Sequence, residues 1–91
     1  MNYRTDLLSA ALDLVAIARK HPDKFGAVVV FGGFTYDPHG SRHDIYFQNR
    51  RIVTVEEGRT REYKVSLTGA TPRREAMLIA AVTEMKKQFS A

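Results

Sequence analysis

The chain has 91 residues, of which 44% are hydrophobic and 26% are charged, and it contains no cysteine. This composition is typical of a globular domain and excludes a disulfide framework and cysteine-based metal or thiol chemistry. Residues 1–24 carry Asp6 and Asp13 within their apolar stretch. They therefore predict neither a signal peptide nor a membrane-spanning segment, and we expect a cytoplasmic protein that does not contact membranes.

The formal net charge is +4, and the basic excess lies in residues 42–74. Such an excess favours an anionic partner, either nucleic acid or an acidic protein face, whereas the simpler alternative is a solvated basic surface. The candidate partner-binding residues are the basic side chains of this region and one histidine that precedes it. They are His39, Arg42, Arg50, Arg51, Arg59, Arg61, Lys64, Arg73 and Arg74.

Residues 3–20 predict an amphipathic helix, because apolar side chains recur there at a spacing of three and four. Asp6 suits the positive end of the helix dipole, and Arg19 and Lys20 suit the negative end. The helix is expected to end before Pro22, because the residue before a proline disfavours the helical conformation.

Residues 25–36 predict the first strand. The unbroken apolar run at 27–31 indicates a strand buried on both faces, either central in the sheet or at a homodimer contact. Gly32 and Gly33 indicate a bulge or the close approach of another backbone. Residues 37–40, Asp-Pro-His-Gly, predict a type I turn.

A second strand is predicted from Asp44 onward. It either continues to Val55 or breaks near Asn49 into two strands, and the pattern does not decide between these. Residues 56–59 predict a turn. Residues 60–67 alternate between apolar and polar side chains, which predicts a strand with one solvated face.

The last helix is predicted to begin after Thr71, its N-cap, with a proline in the first position. Arg73 and Arg74 then occupy the first turn, where the helix dipole favours acidic side chains. A phosphate or carboxylate bound there would explain them, since backbone N–H groups and two guanidiniums would converge on one anion. The alternative is that both arginines fold back onto Glu62 or Glu75.

This order of elements predicts a single α+β domain over residues 1–91. The expected architecture is an α-β-β-β-α two-layer sandwich, with an antiparallel sheet of three or four strands and both helices on one face. The pattern leaves open which face of the sheet is solvated.

Patterns for catalysis and metal binding are weak. Asp37, His39, His43 and Asp44 are close in sequence, which raises the alternatives of a metal site or a His39/His43 acid–base pair. However, the two histidines lie in an expected turn, whereas their spacing suits a metal site only on a helix. The sequence also shows no nucleophile for them to activate. We therefore predict a protein without cofactor or metal that is not an enzyme, and we keep a small enzyme using the two histidines as the third alternative.

The element order and the basic helix start resemble the double-stranded-RNA-binding domain. That family has a glycine, a basic helix start, spaced alanines and a Gly-Pro-x-His loop element. The similar positions here are Gly69, Arg73, Arg74, Ala76, Ala80, Ala81, Pro38 and His39. The resemblance implies that the two arginines contact phosphates across the major groove of a duplex and that His39 lies near its minor groove.

The segment GATPRREAMLIAAVTEM at 69–85 is also similar to the closing segment of many short phage-encoded proteins. These include anti-CRISPR proteins, which act by binding and occluding host machinery. This second resemblance implies the leading function, an accessory inhibitor that docks on a host protein or nucleoprotein complex in the host cytoplasm. A double-stranded nucleic-acid-binding module is the alternative.

Overall fold

The computed structural model describes residues 3–59, 62–69 and 71–89, with side chains from residue 6 onward. The described chain forms two long helices, one short helix and five strands. In chain order these are α1 (Tyr3–Lys20), α2 (Pro22–Phe25), β1 (Val29–Phe31), β2 (Phe34–His39), β3 (Arg42–Phe47), β4 (Arg50–Glu57), β5 (Tyr63–Leu67) and α3 (Pro72–Phe89).

The five strands form one antiparallel sheet in the order β1-β2-β3-β4-β5, so every strand pairs with its neighbour in the chain. The two long helices lie together on one face of this sheet. The predicted α+β class and two-layer antiparallel architecture are therefore confirmed. The strand number is five rather than three or four, because two of the predicted strands each contain a tight turn.

The first of these turns divides the predicted strand at 25–36. Gly32 and Gly33 have φ values of 52° and 84°, and Phe31 pairs with Phe34 across them. Two successive positive φ values are typical of the two-residue hairpin turns that suit the twist of paired strands. The two glycines therefore form a hairpin turn, and the expected bulge is wrong. The start of the segment also differs, since Phe25 belongs to α2.

β1 is an edge strand, and the prediction that it is buried on both faces is wrong. Val30 is 74% exposed, and Val28 just before the strand is 57% exposed. Val29 and Phe31, on the other side of β1, pack against the core. The unbroken apolar run at 27–31 therefore leads into an edge strand that has one solvated face.

The turn predicted at 37–40 lies two residues later. Pro38 and His39 belong to β2, and the turn residues are Gly40 and Ser41, since His39 pairs with Arg42. Pro38 is tolerated because hydrogen-bonded pairs alternate along the ladder, so its nitrogen faces away from β3. The nitrogen of Pro38 therefore faces the β1 side of β2. No ladder hydrogen bond is lost there, because the pairing between β1 and β2 ends at Tyr36.

The open question about residues 45–55 has a clear outcome. Gln48 and Asn49 have φ values of 50° and 65°, and they form a second two-residue hairpin turn between β3 and β4. Asparagine tolerates this left-handed region better than most residues do. The segment is thus two strands. A register shift between Ile45 and Tyr46 adds one irregularity to their pairing.

The core lies between the helix layer and one face of the sheet. Its buried side chains come from the apolar stripes of α1 and α3 and from alternate positions of the strands. The largest fully buried apolar members are Leu7, Leu14, Val15, Phe34, Tyr36, Ile45, Ile52, Val53, Val55, Leu78 and Val82. The predicted amphipathic helix at 3–20 is confirmed. Over the described part of the chain, no helix is both long and apolar enough to cross a membrane.

Candidate functional site

Four of the predicted basic residues lie at one end of the sheet, around Gly69. Arg50 and Arg51 begin β4 just after the hairpin turn, and Arg73 and Arg74 lie in the first turn of α3. Their proximity follows from the antiparallel pairing of β4 and β5, which brings the start of β4 and the end of β5 to the same end of the sheet. We call these four residues the arginine end.

Gly69 is the point where the two pairs of arginines meet. A Cβ at this position would lie 3.3 Å from Cδ of Arg50 and 3.4 Å from the carbonyl oxygen of Arg51. Its own carbonyl oxygen accepts a hydrogen bond of 2.9 Å from Nη1 of Arg74. The connection between β5 and α3 therefore packs directly on the first residues of β4.

Arg74 is partly held by the protein itself. Besides its bond to Gly69, its guanidinium carbon lies 5.5 Å from the centroid of the Phe47 ring, within cation–π range. Its backbone N–H donates to Oγ1 of Thr71 at 3.3 Å, which confirms Thr71 as the N-cap. Arg74 thus folds back onto a carbonyl and a ring, and the expected contact of this side chain with Glu62 or Glu75 is wrong.

The other three arginines of this end have exposed side chains, and no described carboxylate forms an ion pair with any of the four. Arg73 is exposed at the helix start. Beside it lies a groove of about 510 Å³ with both apolar and basic lining residues. The groove is lined by Phe47, Gln48, Thr71, Arg73, Arg74 and Met77. Cations and apolar surface are therefore available together here.

At the opposite end of the sheet, His39 and Arg42 contact carboxylates of the same chain. Nε2 of His39 lies 3.1 Å from Asp37 and 3.9 Å from Asp44, and Nε of Arg42 donates to Asp44 at 3.3 Å. Asp44 is only 1% exposed and also accepts a hydrogen bond of 2.8 Å from the hydroxyl of Thr54. The structure therefore places these two predicted binding residues in a local ion-pair cluster, apart from the arginine end.

Two further predicted basic residues, Arg59 and Lys64, also lie apart from the arginine end. Lys64 is exposed on β5, where it pairs in register with Glu56, and Arg59 lies in the loop after β4. Arg61 lies outside the described residues. Of the nine predicted residues, the structure therefore brings the side chains of Arg50, Arg73 and Arg74 together. Arg51 has its backbone at this end, but its side chain lines a groove on the other face of the sheet with Arg42.

His39 and His43 lie on opposite faces of the sheet. His39 shares the solvated face with Asp37 and Asp44, whereas His43, opposite Pro38, points toward the helices and is 6% exposed. The idea that the two histidines act together as an acid–base pair or as ligands of one metal is therefore wrong. Within the described ranges, no group of three or more histidine, cysteine or acidic residues could hold a metal ion.

His43 belongs to a buried polar chain that the sequence reading did not identify. Nδ1 of His43 lies 2.7 Å from the hydroxyl of Tyr36, and its Nε2 lies 3.7 Å from Oε2 of Glu57. Glu57 in turn forms an ion pair with Arg19 of α1. These side chains come from β2, β3, β4 and α1. The contact between His43 and Glu57 is too long for a hydrogen bond, so Nε2 of His43 has no hydrogen-bond partner among the described residues. Tyr36 is 1% exposed, so the polar atoms need each other as partners.

Burial has opposite effects on the two titrating groups of this chain. It raises the pKa of Tyr36 to about 12, with a smaller contribution from the charge of Asp37. It lowers the pKa of His43, and the positive charge of Arg19 adds to this, while Asp44 opposes it. Both shifts favour the neutral forms, since a desolvated site penalises charge. The natural arrangement is then a Tyr36 hydroxyl that donates to an unprotonated Nδ1.

Comparison of the chain with protein-family models, with curated proteins and with solved structures gives no significant match.

Proposed function

We propose that this chain is a small non-enzymatic binding protein that covers an anionic face of its target with the arginine end. In this proposal it is a phage-type accessory inhibitor, similar to anti-CRISPR proteins, and its target is a host protein or nucleoprotein complex. The observation that carries the proposal is the gathering of Arg50, Arg73 and Arg74 near Gly69 and Phe47 without an ion pair to any described carboxylate. Unpaired guanidiniums at one site are suited to bind carboxylates or phosphates in bidentate geometry.

The local surroundings of these arginines favour a protein face as the target. Phe47 and Met77 supply half-buried apolar surface beside the guanidiniums. Arginine and aromatic side chains next to apolar surface are the usual components of interface hot spots. A compact patch of this kind supports binding to a defined protein surface more than tracking along a uniform backbone.

The surroundings of His39 weigh against the duplex-binding alternative. The resemblance to the double-stranded-RNA-binding domain requires His39 and the two helix-start arginines to contact one duplex. The six residues of β3 separate the two ends of the sheet by about 17 Å, a distance that contacts spread over the grooves of one duplex can span. The surroundings of His39, rather than its distance from the arginines, therefore weigh against this alternative. Asp37 and Asp44 surround His39 and would repel phosphates.

The experiment that tests the proposal compares two double charge reversals. Arg50→Glu/Arg73→Glu changes two exposed members of the arginine end, and Arg59→Glu/Lys64→Glu makes the same change of net charge elsewhere. Both variants and the wild type are used for pull-down from host lysate and for fluorescence anisotropy with RNA and DNA duplexes at about 50 and 200 mM salt.

We expect the wild type and the Arg59/Lys64 variant to capture the same host component, while the Arg50/Arg73 variant loses it. Generic duplexes should bind none of the three tightly. Equal capture by both variants would contradict the proposed site. Submicromolar duplex binding that falls steeply with salt and requires Arg73 would instead favour the nucleic-acid-binding module.

A further inference from the structure

The outer edge of β1 combines unpaired backbone groups with exposed apolar side chains. Among the large hydrophobic residues of the described chain, Val30 and Val28 are the two most exposed. β1 ends the sheet, so one side of its backbone has no strand partner in the fold. A sheet edge of this kind is a template for pairing with another strand.

The alternation of the ladder shows which backbone groups point outward. Phe31 and Phe34 close a two-residue turn and therefore exchange both hydrogen bonds. Val29 again faces β2, whereas the N–H and C=O groups of Val30 point to the open edge. The most exposed valine is thus also a residue whose backbone groups are available for pairing, and the exposed Val28 directly precedes the ladder.

The β1 edge is short, at three residues, but it lacks the charged side chains that commonly protect such an edge against pairing. Residues 25–35 contain no charged side chain, whereas β5 at the opposite edge carries the exposed Lys64. Natural proteins commonly place lysine or other charges on edges that must stay unpaired. A groove of about 260 Å³ continues the surface from Val30 and Phe31 to α3, where Ala81 and Met85 supply apolar lining and Glu84 and Gln88 supply polar lining. The uncharged part of this edge is therefore the strand itself.

We propose that the β1 edge binds a second copy of this chain, with the two β1 strands antiparallel across a two-fold axis at Val29. In this register, Val28 of each copy lies opposite Val30 of the other, and each such pair exchanges two hydrogen bonds. The exposed valines of the two copies then contact each other across the junction, and the two sheets join into one of ten strands. An uncharged, apolar edge is complementary to itself, which is the requirement of a two-fold interface.

In the proposed antiparallel dimer, the arginine ends do not take part in the contact between the two copies. The arginine end lies at the sheet end where β1 runs into the Gly32 turn, so the two copies would present their arginine ends in opposite directions. The dimer and the binding function proposed above are therefore separable by experiment.

The first test is sedimentation equilibrium between about 10 and 500 µM. We expect the wild type to reach about twice its monomer mass of 10.3 kDa. Val30→Lys adds a charge at the centre of the edge, at a position exposed enough to leave the fold unchanged, and should stay monomeric throughout. Ser66→Lys, the matched change in β5, should dimerise as the wild type does. A monomeric wild type, or a Val30→Lys variant that dimerises equally well, would overturn the proposal.

The second test uses the absence of cysteine from the natural chain. The two copies of Val29 would form a pair that is not hydrogen-bonded, with Cα atoms about 4.5 Å apart, a distance that a disulfide can bridge. Under mild oxidation, Val29→Cys should give a covalent dimer, and Lys64→Cys at the opposite edge should remain mostly monomeric. Equal cross-linking of both variants would show that only random collisions are being trapped and would overturn the β1 contact.

Discussion

The hydroxyl of Tyr36 lies 2.7 Å from Nδ1 of His43, and the two rings are nearly parallel, at 18°. Both side chains point from neighbouring strands into the core, where neither has access to bulk water. Since burial favours the neutral form of each group, the phenol donates and the imidazole accepts. Nε2 of His43 lies 3.7 Å from Oε2 of Glu57, which is too far for a hydrogen bond, and this nitrogen has no hydrogen-bond partner among the described residues. The Tyr36 hydroxyl is therefore the hydrogen-bond partner on which the buried imidazole depends.

Tyr36→Phe should destabilise the protein by about 1–3 kcal/mol, because it leaves a ring nitrogen of His43 buried without its partner. The measurement is urea unfolding followed by circular dichroism. Tyr46→Phe is the matched control. Tyr46 is only half-buried, and its hydroxyl makes no hydrogen bond with any side chain or backbone group in the described ranges, so the change should cost little. Equal losses for the two variants would argue against the Tyr36–His43 bond.

The stability of the fold should decrease as the pH falls through about 6.5, the ordinary pKa of histidine. The pKa of His43 is lowered in the folded protein, so the unfolded chain takes up this proton first as the pH falls. Stability is lost wherever the unfolded state binds more protons, by at most about 1.4 kcal/mol per pH unit for one group. Urea unfolding at pH 7.5 and 5.5 measures this loss.

His43→Gln should reduce that pH dependence, whereas His39→Gln should keep it. His39 has a side chain that is 55% exposed on the other face of the sheet, which makes it a suitable control. If the His43 variant shows the same loss of stability between the two pH values as the wild type, then other groups cause it.

Gly32→Ala should destabilise the protein more than Gly40→Ala. Both glycines have positive φ values, 52° and 63°, so an alanine costs about 1–2 kcal/mol of backbone strain at either position. At Gly32, the new Cβ would in addition lie 2.8 Å from Cβ of Ala81, whereas nothing lies within 4 Å at Gly40. Overpacking adds about 1–3 kcal/mol. Thermal unfolding of both variants would test this, and equal losses would contradict the close packing of β1 on α3.

The helices could be predicted closely from the sequence, because their signals are local. The 3.6-residue periodicity of α1 and the Thr71-Pro72 start of α3 act within a few residues of the chain. The strand number could not be predicted as well. The Gly32-Gly33 and Gln48-Asn49 turns both lie inside runs that read as continuous strands, and two left-handed residues in succession are enough to reverse the chain.

The candidate site was only partly predictable for a related reason. The nine basic and histidine positions were identified by charge, but charge alone does not show which of them have carboxylate partners. Asp44 is the clearest case, because the pattern placed it at the start of a strand, and only the folded sheet buries it beside Arg42 and Thr54. The buried Tyr36–His43 contact carried no sequence signal, since its members are seven residues apart on different strands.

The α+β class, the two long helices, the N-cap at Thr71 and the basic middle of the chain follow from sequence patterns alone. The folded sheet was needed to show that Arg50, Arg73 and Arg74 lie together, that Arg51 lines the other face, and that His39 and His43 are separated. The physical reason is the two-residue period of a strand, which places neighbouring residues on opposite faces. Once hairpin turns set the register, side chains far apart in the chain became neighbours.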